Sequence, residues 1–176
     1  LHKLTDAGVI PRIPIYIDSP LATKITTVFS RHDEDFDDEA WKDFGKDGES
    51  PFDFKNLTYT QSAEESKALN AIQGPCMIIS ASGMAEGGRI LHHLKNNIED
   101  SNTIILITGY QAKDTLGRKI QEGISPVNIL GRPYHVNAEI INLDELSAHA
   151  DQKGLLQYVT DISELQNICL VHTEMP

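Results

Sequence analysis

Short apolar runs alternate with amphipathic stretches along most of the chain, and each alternation predicts a strand followed by a helix. Pro14-Ile15-Tyr16-Ile17 reads as a short buried strand. Leu21, Ile25, Val28 and Phe29 follow at helical spacing behind Pro20, a residue suited to the first helical position. Leu57–Thr60 predicts a second strand. Ser62-Ala63-Glu64-Glu65 is a capping-box pattern that opens a helix with Ala68, Leu69 and Ile72 on one side. Cys76–Ile79 predicts a third strand, and Ile90, Leu91, Leu94 and Ile98 mark the helix after it. Thr103–Thr108 predicts a fourth, followed by a short helix with Leu116 and Ile120. Val127–Leu130 and Arg132–Val136 predict brief strands in a hairpin, and Ala138–Leu143 another strand. Leu155, Leu156 and Val159 place a helix before a last predicted strand, Asn167–Val171.

Apolar strands alternating with amphipathic helices predict an α/β fold with a doubly wound, mainly parallel sheet. No internal repeat or low-complexity tract interrupts it. The units before about residue 137 read as one sheet, and the strand–helix–strand unit after it is a candidate for a separate body. Between the first helix and the second strand lies an acidic stretch, 33–54, containing Gly45, Gly48 and Pro51; it reads as a partly helical excursion around Trp41.

The 176 residues suffice for one domain with a core, and 40% hydrophobic with 23% charged residues is ordinary soluble composition. No apolar run approaches the roughly eighteen residues of a membrane helix. Leu1–Asp6 lacks the order of a signal peptide, and without an initiator Met the numbering is expected to start inside a longer protein. Cys76 and Cys169 sit in apolar runs and read as small core hydrophobes, so a reducing cytoplasm is the default location. The net charge of −11 weighs against a broad nucleic-acid-binding surface. Much of that excess is local, however: 33–53 is densely acidic against only Lys42 and Lys46, as a solvated insertion would be.

Ligands of open parallel sheets bind beyond the carboxyl ends of the strands, and the unusual residues of this chain crowd there. Asp18, Ser19 and Pro20 follow the first strand. Ser80-Ala81-Ser82-Gly83-Met84 and Gly87-Gly88-Arg89 follow the third. Gly109-Tyr110-Gln111 and Thr115-Leu116-Gly117-Arg118 follow the fourth. Small residues let backbone N–H groups approach a ligand, and a helix beginning near Gly87 would add its dipole to the Arg89 charge, so a phosphate cradle is one reading. A plain strand-to-helix turn is the other. Arg89 either reaches a phosphate or pairs with an acidic neighbour such as Glu86.

His149, in Ser147-Ala148-His149-Ala150-Asp151, and His172, directly after the last predicted strand, emerge at one sheet edge if those strands are parallel neighbours. Histidine there can bind metal or pass protons. His92 and His93 share a helix on which one is expected to face water, and His2, His32 and His135 show no partner at metal-ligand spacing with a carboxylate.

Taken in order, Asp18-Ser19-Pro20-Leu21-Ala22, Ser80–Met84 with Gly87–Arg89, Gly109–Gln111 with Thr115–Arg118, Ser147–Asp151 and Val171-His172 resemble the β-CASP ribonucleases of the metallo-β-lactamase superfamily. These are the 3′-end-processing endonuclease, its bacterial and archaeal relatives and, more distantly, ribonuclease J. The resemblance covers nearly everything except 33–53. It implies a β-CASP domain over 1–144 and a return segment of the metallo-β-lactamase domain over 145–176. It implies that His149 donates a proton near the scissile phosphate and that His172 is a zinc ligand. Ser80, Ser82, Gly83, Gly87, Gly88 and Arg89, with Ser147 and Ala148, would face single-stranded RNA. In the full-length enzyme a pair of zinc ions would activate water for attack on the phosphodiester. No His-x-His-x-Asp-His occurs here, so most zinc ligands and the upstream metallo-β-lactamase domain would lie outside this chain, which is expected to be inactive alone. Two departures stand out: Thr173-Glu174 replaces the family's usual Gly-Glu, and Asp114 stands where glycine is common. A non-catalytic RNA-binding or assembly subunit, and an unrelated nucleotide-binding doubly wound domain, stay open as alternatives, as does homo-oligomerisation.

Overall fold

The computed structural model describes residues 1–36, 52–143 and 150–169. Helix α1 spans His2–Asp6 and strand β1 Ile15–Asp18. β1 is the middle of a three-stranded parallel sheet, with β2 (Leu57–Tyr59) on one side and β3 (Met77–Ser80) on the other. Its register places Ile17 beside Tyr59 and Ile79, and Asp18 beside Ser80. Strand β4 (Ile104–Ile107) pairs in parallel with β7 (Glu139–Asn142), while β5 (Val127–Ile129) and β6 (Arg132–Tyr134) form the expected antiparallel hairpin. Leu130 and Gly131 both take positive φ in its two-residue turn, matching the twist of the flanking strands.

Two helices begin where the sequence placed their starts. Ser19 Oγ accepts from Ala22 N at 3.3 Å and Pro20 opens α2 (Pro20–Phe29). Ser62 Oγ accepts from Glu65 N at 3.1 Å to open α3 (Ala63–Ala68), while the Glu65 carboxylate reaches back to Gln61 N at 2.7 Å. Ile72, expected on that helix, already lies past the 3-10 turn Leu69–Ala71. Helix α4 covers Ile90–Asn97, and Thr115 caps α5 (Leu116–Gln121). Asp151 caps α6 (Gln152–Thr160). The main core lies between α4, α5, β4 and the hairpin: Leu94, Ile98, Ile107, Leu116, Ile120, Val127 and Ile129 are all buried.

Several expectations change. The parallel strands do not form one continuous doubly wound sheet, because β3 and β4 share no ladder among the described residues. What stands is a mixed α/β architecture with parallel pairing. Of the expected strand Asn167–Val171, residues 167–169 have no strand partner among the described residues and 170–171 lie outside them; Cys169 is exposed rather than in a core. Cys76 is half-buried, and burial pushes its thiol pKa up. Leu155, Leu156 and Tyr158 on α6 are likewise exposed, so its amphipathic pattern meets no covering surface among the described residues. Trp41 and the rest of the acidic stretch across 37–51 lie outside the described residues. Among those described, no helix is long and apolar enough to cross a membrane.

Candidate functional site

Three parallel strands end together, and at that rim a carboxylate is closed off from water. Asp18, the last residue of β1, is fully buried. Each carboxylate oxygen accepts two hydrogen bonds. Oδ1 accepts from Thr60 Oγ1 just after β2 and from an Arg89 guanidinium nitrogen at 2.7 Å. Oδ2 accepts from Ser66 Oγ on α3 at 2.6 Å and from His93 Nε2 at 2.6 Å. The same Arg89 nitrogen also donates to Thr60 Oγ1 at 3.0 Å. Burial alone pushes the Asp18 carboxyl up, yet donation from Ser66, Thr60, His93 and Arg89 outweighs it and holds the pKa at about 2. The carboxylate is therefore ionised, with cationic Arg89 beside it.

Arg89 thus pairs with an acid, though not with Glu86. One turn of helix separates Arg89 from His93, so both side chains face the β1 end together. That four-residue spacing was the available signal for the cluster, and Asp18 carried none beyond its place after a strand. His92, on the neighbouring face, is exposed as expected of one of the pair. Two further histidines have carboxylate neighbours that the sequence reading passed over, the first at four-residue helical spacing. His2 Nε2 lies 2.9 Å from Asp6, and His32 Nδ1 lies 3.0 Å from Glu34.

The turn after β3 is built against this cluster. Ser80 Oγ donates to the Asp18 backbone oxygen at 2.9 Å. Ser82 N donates to Gly87 O at 3.1 Å, Ala85 N to Ser82 O at 3.1 Å and Ile90 N to Ala81 O at 3.2 Å. Helix α4 begins at Ile90, so the expected start near Gly87 is displaced and Gly87 and Gly88 belong to the turn. Gly88 is required by its surroundings: its φ is +80°, and a Cβ there would lie 2.4 Å from Ala81 O. Gly83 and Gly87 are different, since a Cβ at either would meet nothing within 4 Å. Their backbone is open to an approaching group.

Across from this turn lies the loop between β4 and α5. Gln111 is buried, and its Nε2 donates to Gly83 O at 2.9 Å and to Gly109 O at 3.1 Å. Glu86 Oε1 accepts from Leu116 N at 2.5 Å, and Gly117 N donates to Met84 O at 3.0 Å. A cleft of about 110 Å³ remains beside β4, its wall mostly apolar (Ile90, Leu94 and Ile120 among others), with Ser80, Ser82, Gly83 and Gln111 as its polar edge. Asp114, where the resemblance expects glycine, has a φ of +69°.

Ser147, Ala148, His149 and His172 lie outside the described residues. Among the described residues the one group of metal-ligating side chains is His32, Glu34 and Asp35, all exposed around a 3-10 turn. Three donors are present, but with a single histidine and full exposure they differ from the three-histidine, two-histidine–glutamate and two-cysteine–histidine sets that hold catalytic zinc.

Comparison with known proteins completes the picture. The Beta-Casp domain model matches residues 1–120, and the model described as a Zn-dependent metallo-hydrolase RNA specificity domain matches 133–175. Ribonuclease TTHA0252 of Thermus thermophilus is 36% identical over 165 residues, covering 94% of this chain and 37% of that protein. The transcription termination factor FttA of Methanosarcina mazei is 29% identical over 164 residues, covering 90% of this chain and 26% of that one. An RNase J-like protein of Methanocaldococcus jannaschii is 33% identical over 114 residues, covering 65% and 26%. The chain therefore spans between a quarter and two fifths of the length of these relatives.

Proposed function

This chain belongs to the Beta-Casp family, and on that basis we propose that it forms the RNA-specificity region of a zinc-dependent ribonuclease that hydrolyses phosphodiester bonds in single-stranded RNA in the cytoplasm. The observation that carries the RNA contact is the turn after β3, where Gly83 and Gly87 leave open backbone beside Ser82. In open α/β sheets the ligand crevice lies where strand order reverses, here between β1 and β3. The Asp18 cluster fills that crevice, which leaves the adjoining turn and the cleft beside β4 as the accessible rim. Ser82, Gly83, Gly87 and Gly88 offer backbone and hydroxyl contacts to phosphate. Ser80 and Arg89 act from behind, since the Ser80 hydroxyl and one Arg89 nitrogen are committed to Asp18. Ser147 and Ala148 are assigned to the same RNA on the family resemblance alone.

In this assignment His149 holds and delivers a proton to the leaving oxygen, and His172 is a zinc ligand completed by residues outside this chain. Residues 1–144 form the β-CASP unit, in keeping with the pairing of β7 to β4. Residues 145–176 return to the metallo-β-lactamase domain, and the uncovered apolar face of α6 is where that domain would pack. The test uses the full-length protein and the isolated chain side by side on labelled single-stranded RNA. Cleavage is expected only from the full-length protein, lost on chelation and in His149→Ala. Metal-dependent cleavage by the isolated chain would overturn the assignment.

A further inference from the structure

The direction in which a peptide group points decides which of its two polar ends a ligand meets. In a trans peptide, C=O and the following N–H point in opposite directions. The Gly83 carbonyl is drawn inward by Gln111 Nε2 at 2.9 Å, so the Met84 N–H on the same peptide is turned away from Gln111. That N–H meets no hydrogen-bond acceptor among the described residues, and Met84 is 38% exposed. Gln111 itself is 3% exposed and cannot meet a polymer directly.

The pin on this peptide is narrow. Strands β3 and β4 share no ladder, so the turn and the β4–α5 loop are joined here by side chains and loop backbone rather than by a sheet. Gln111 Oε1 is buried without a partner, so the Nε2 donations are what orient its amide. Gly117 leaves the room: a Cβ there would lie 1.8 Å from Gln111 Oε1. Gly117 N holds the next carbonyl, Met84 O, at 3.0 Å. Glu86, the nearby acid on the turn, has its charge directed to Leu116 N at 2.5 Å.

We propose that Gln111 is a positioning residue that fixes the Gly83–Met84 peptide with its N–H outward, and that the Met84 N–H contacts a phosphate oxygen of bound RNA. This rests on the assignment above that the turn after β3 faces RNA. A held amide donor is one charge-assisted hydrogen bond to phosphate, and it costs no reorganisation when the strand arrives.

The test measures KM, kcat and melting temperature on the full-length protein with single-stranded RNA. Gln111→Met keeps the side-chain length but removes the donor, and is expected to raise KM about tenfold while kcat stays within about twofold. Gln111→Ala is expected to do the same. Gly117→Ala evicts the Gln111 amide and should raise KM similarly; because its Cβ would also lie 3.0 Å from Met84 O, whatever it adds in the Gln111→Ala background measures that direct pressure on the turn and not the pin. A purely structural role predicts lower melting temperatures with unchanged KM in every folded variant, and that result overturns the proposal. Ser82→Ala and Gly83→Val separate the two levels. If both raise KM while Gln111→Met does not, the pin fails and the RNA-facing turn stands. If neither moves KM, the turn does not face RNA and both fail. Should Gln111→Ala not fold, Gln111→Met and Gly117→Ala decide alone.

Discussion

Asp18 Oδ2 and His93 Nε2 lie 2.6 Å apart, with both residues buried, although 75 positions separate them in the chain. The contact joins the end of β1 to the face of α4, and Arg89, one turn earlier, reaches the other oxygen of the same carboxylate at 2.7 Å. A buried charge of this kind is a strong structural constraint, because removing one partner strands the other.

Asp18→Ala should therefore destabilise the protein by about 3–5 kcal/mol, since Arg89 would be left without its carboxylate in a poorly solvated site. Urea or thermal melts measure this directly. A loss below about 1 kcal/mol would mean that water reaches the site and the cluster contributes little.

Stability should fall in acid through this same group. The folded pKa of Asp18 is about 2, below its ordinary 3.8, so the folded protein binds that proton less readily than the unfolded chain does. Its contribution is complete above about pH 3.8 and disappears as pH falls towards 2. The shift corresponds to about 2 kcal/mol. His93 and Arg89 are the titratable or charged groups facing Asp18, so melts across this window should be compared with Asp18→Asn, which lacks the titration. Equal pH slopes in the two proteins would contradict the assignment.

At Gly88, a methyl group has nowhere to go. Gly88→Ala places a Cβ 2.4 Å from Ala81 O at a φ of +80° and should cost at least about 2 kcal/mol, whereas Gly83→Ala, with open space around it, should stay within about 1 kcal/mol. Comparable losses at the two positions would show that the turn relaxes freely.

Asp114 occupies the left-handed region at a φ of +69°. Aspartate tolerates it better than most residues, so Asp114→Gly is expected to change stability by less than about 1 kcal/mol, while the β-branched Asp114→Val loses about 1–2 kcal/mol. If valine is accepted without loss, the positive φ at this position carries no strain for a branched side chain.

Much of this chain was legible before any coordinates. The apolar runs from Ile15, Leu57, Met77 and Ile104 became strands because a short β-rich run between turn residues has few other stable states. Pro20 opened a helix because its fixed φ suits the first helical position, and Ser62 because its side-chain oxygen accepts from an amide three residues on. The order of small-residue motifs identified the family, which the domain matches bear out.

Local pattern does not reach across the chain. That Gln111 holds the Gly83 carbonyl and that Arg89 turns to Asp18 rather than to Glu86 join groups 28 and 71 residues apart, and the absence of a β3–β4 ladder is likewise settled far from either strand's own sequence. Periodicity sets which face of an element is apolar, so by itself the sequence determined the elements, their caps and the motifs at their ends. Only the tertiary structure decided which polar groups meet there, because a buried carboxylate selects its partners by desolvation and hydrogen-bond geometry once the strands and helices have packed.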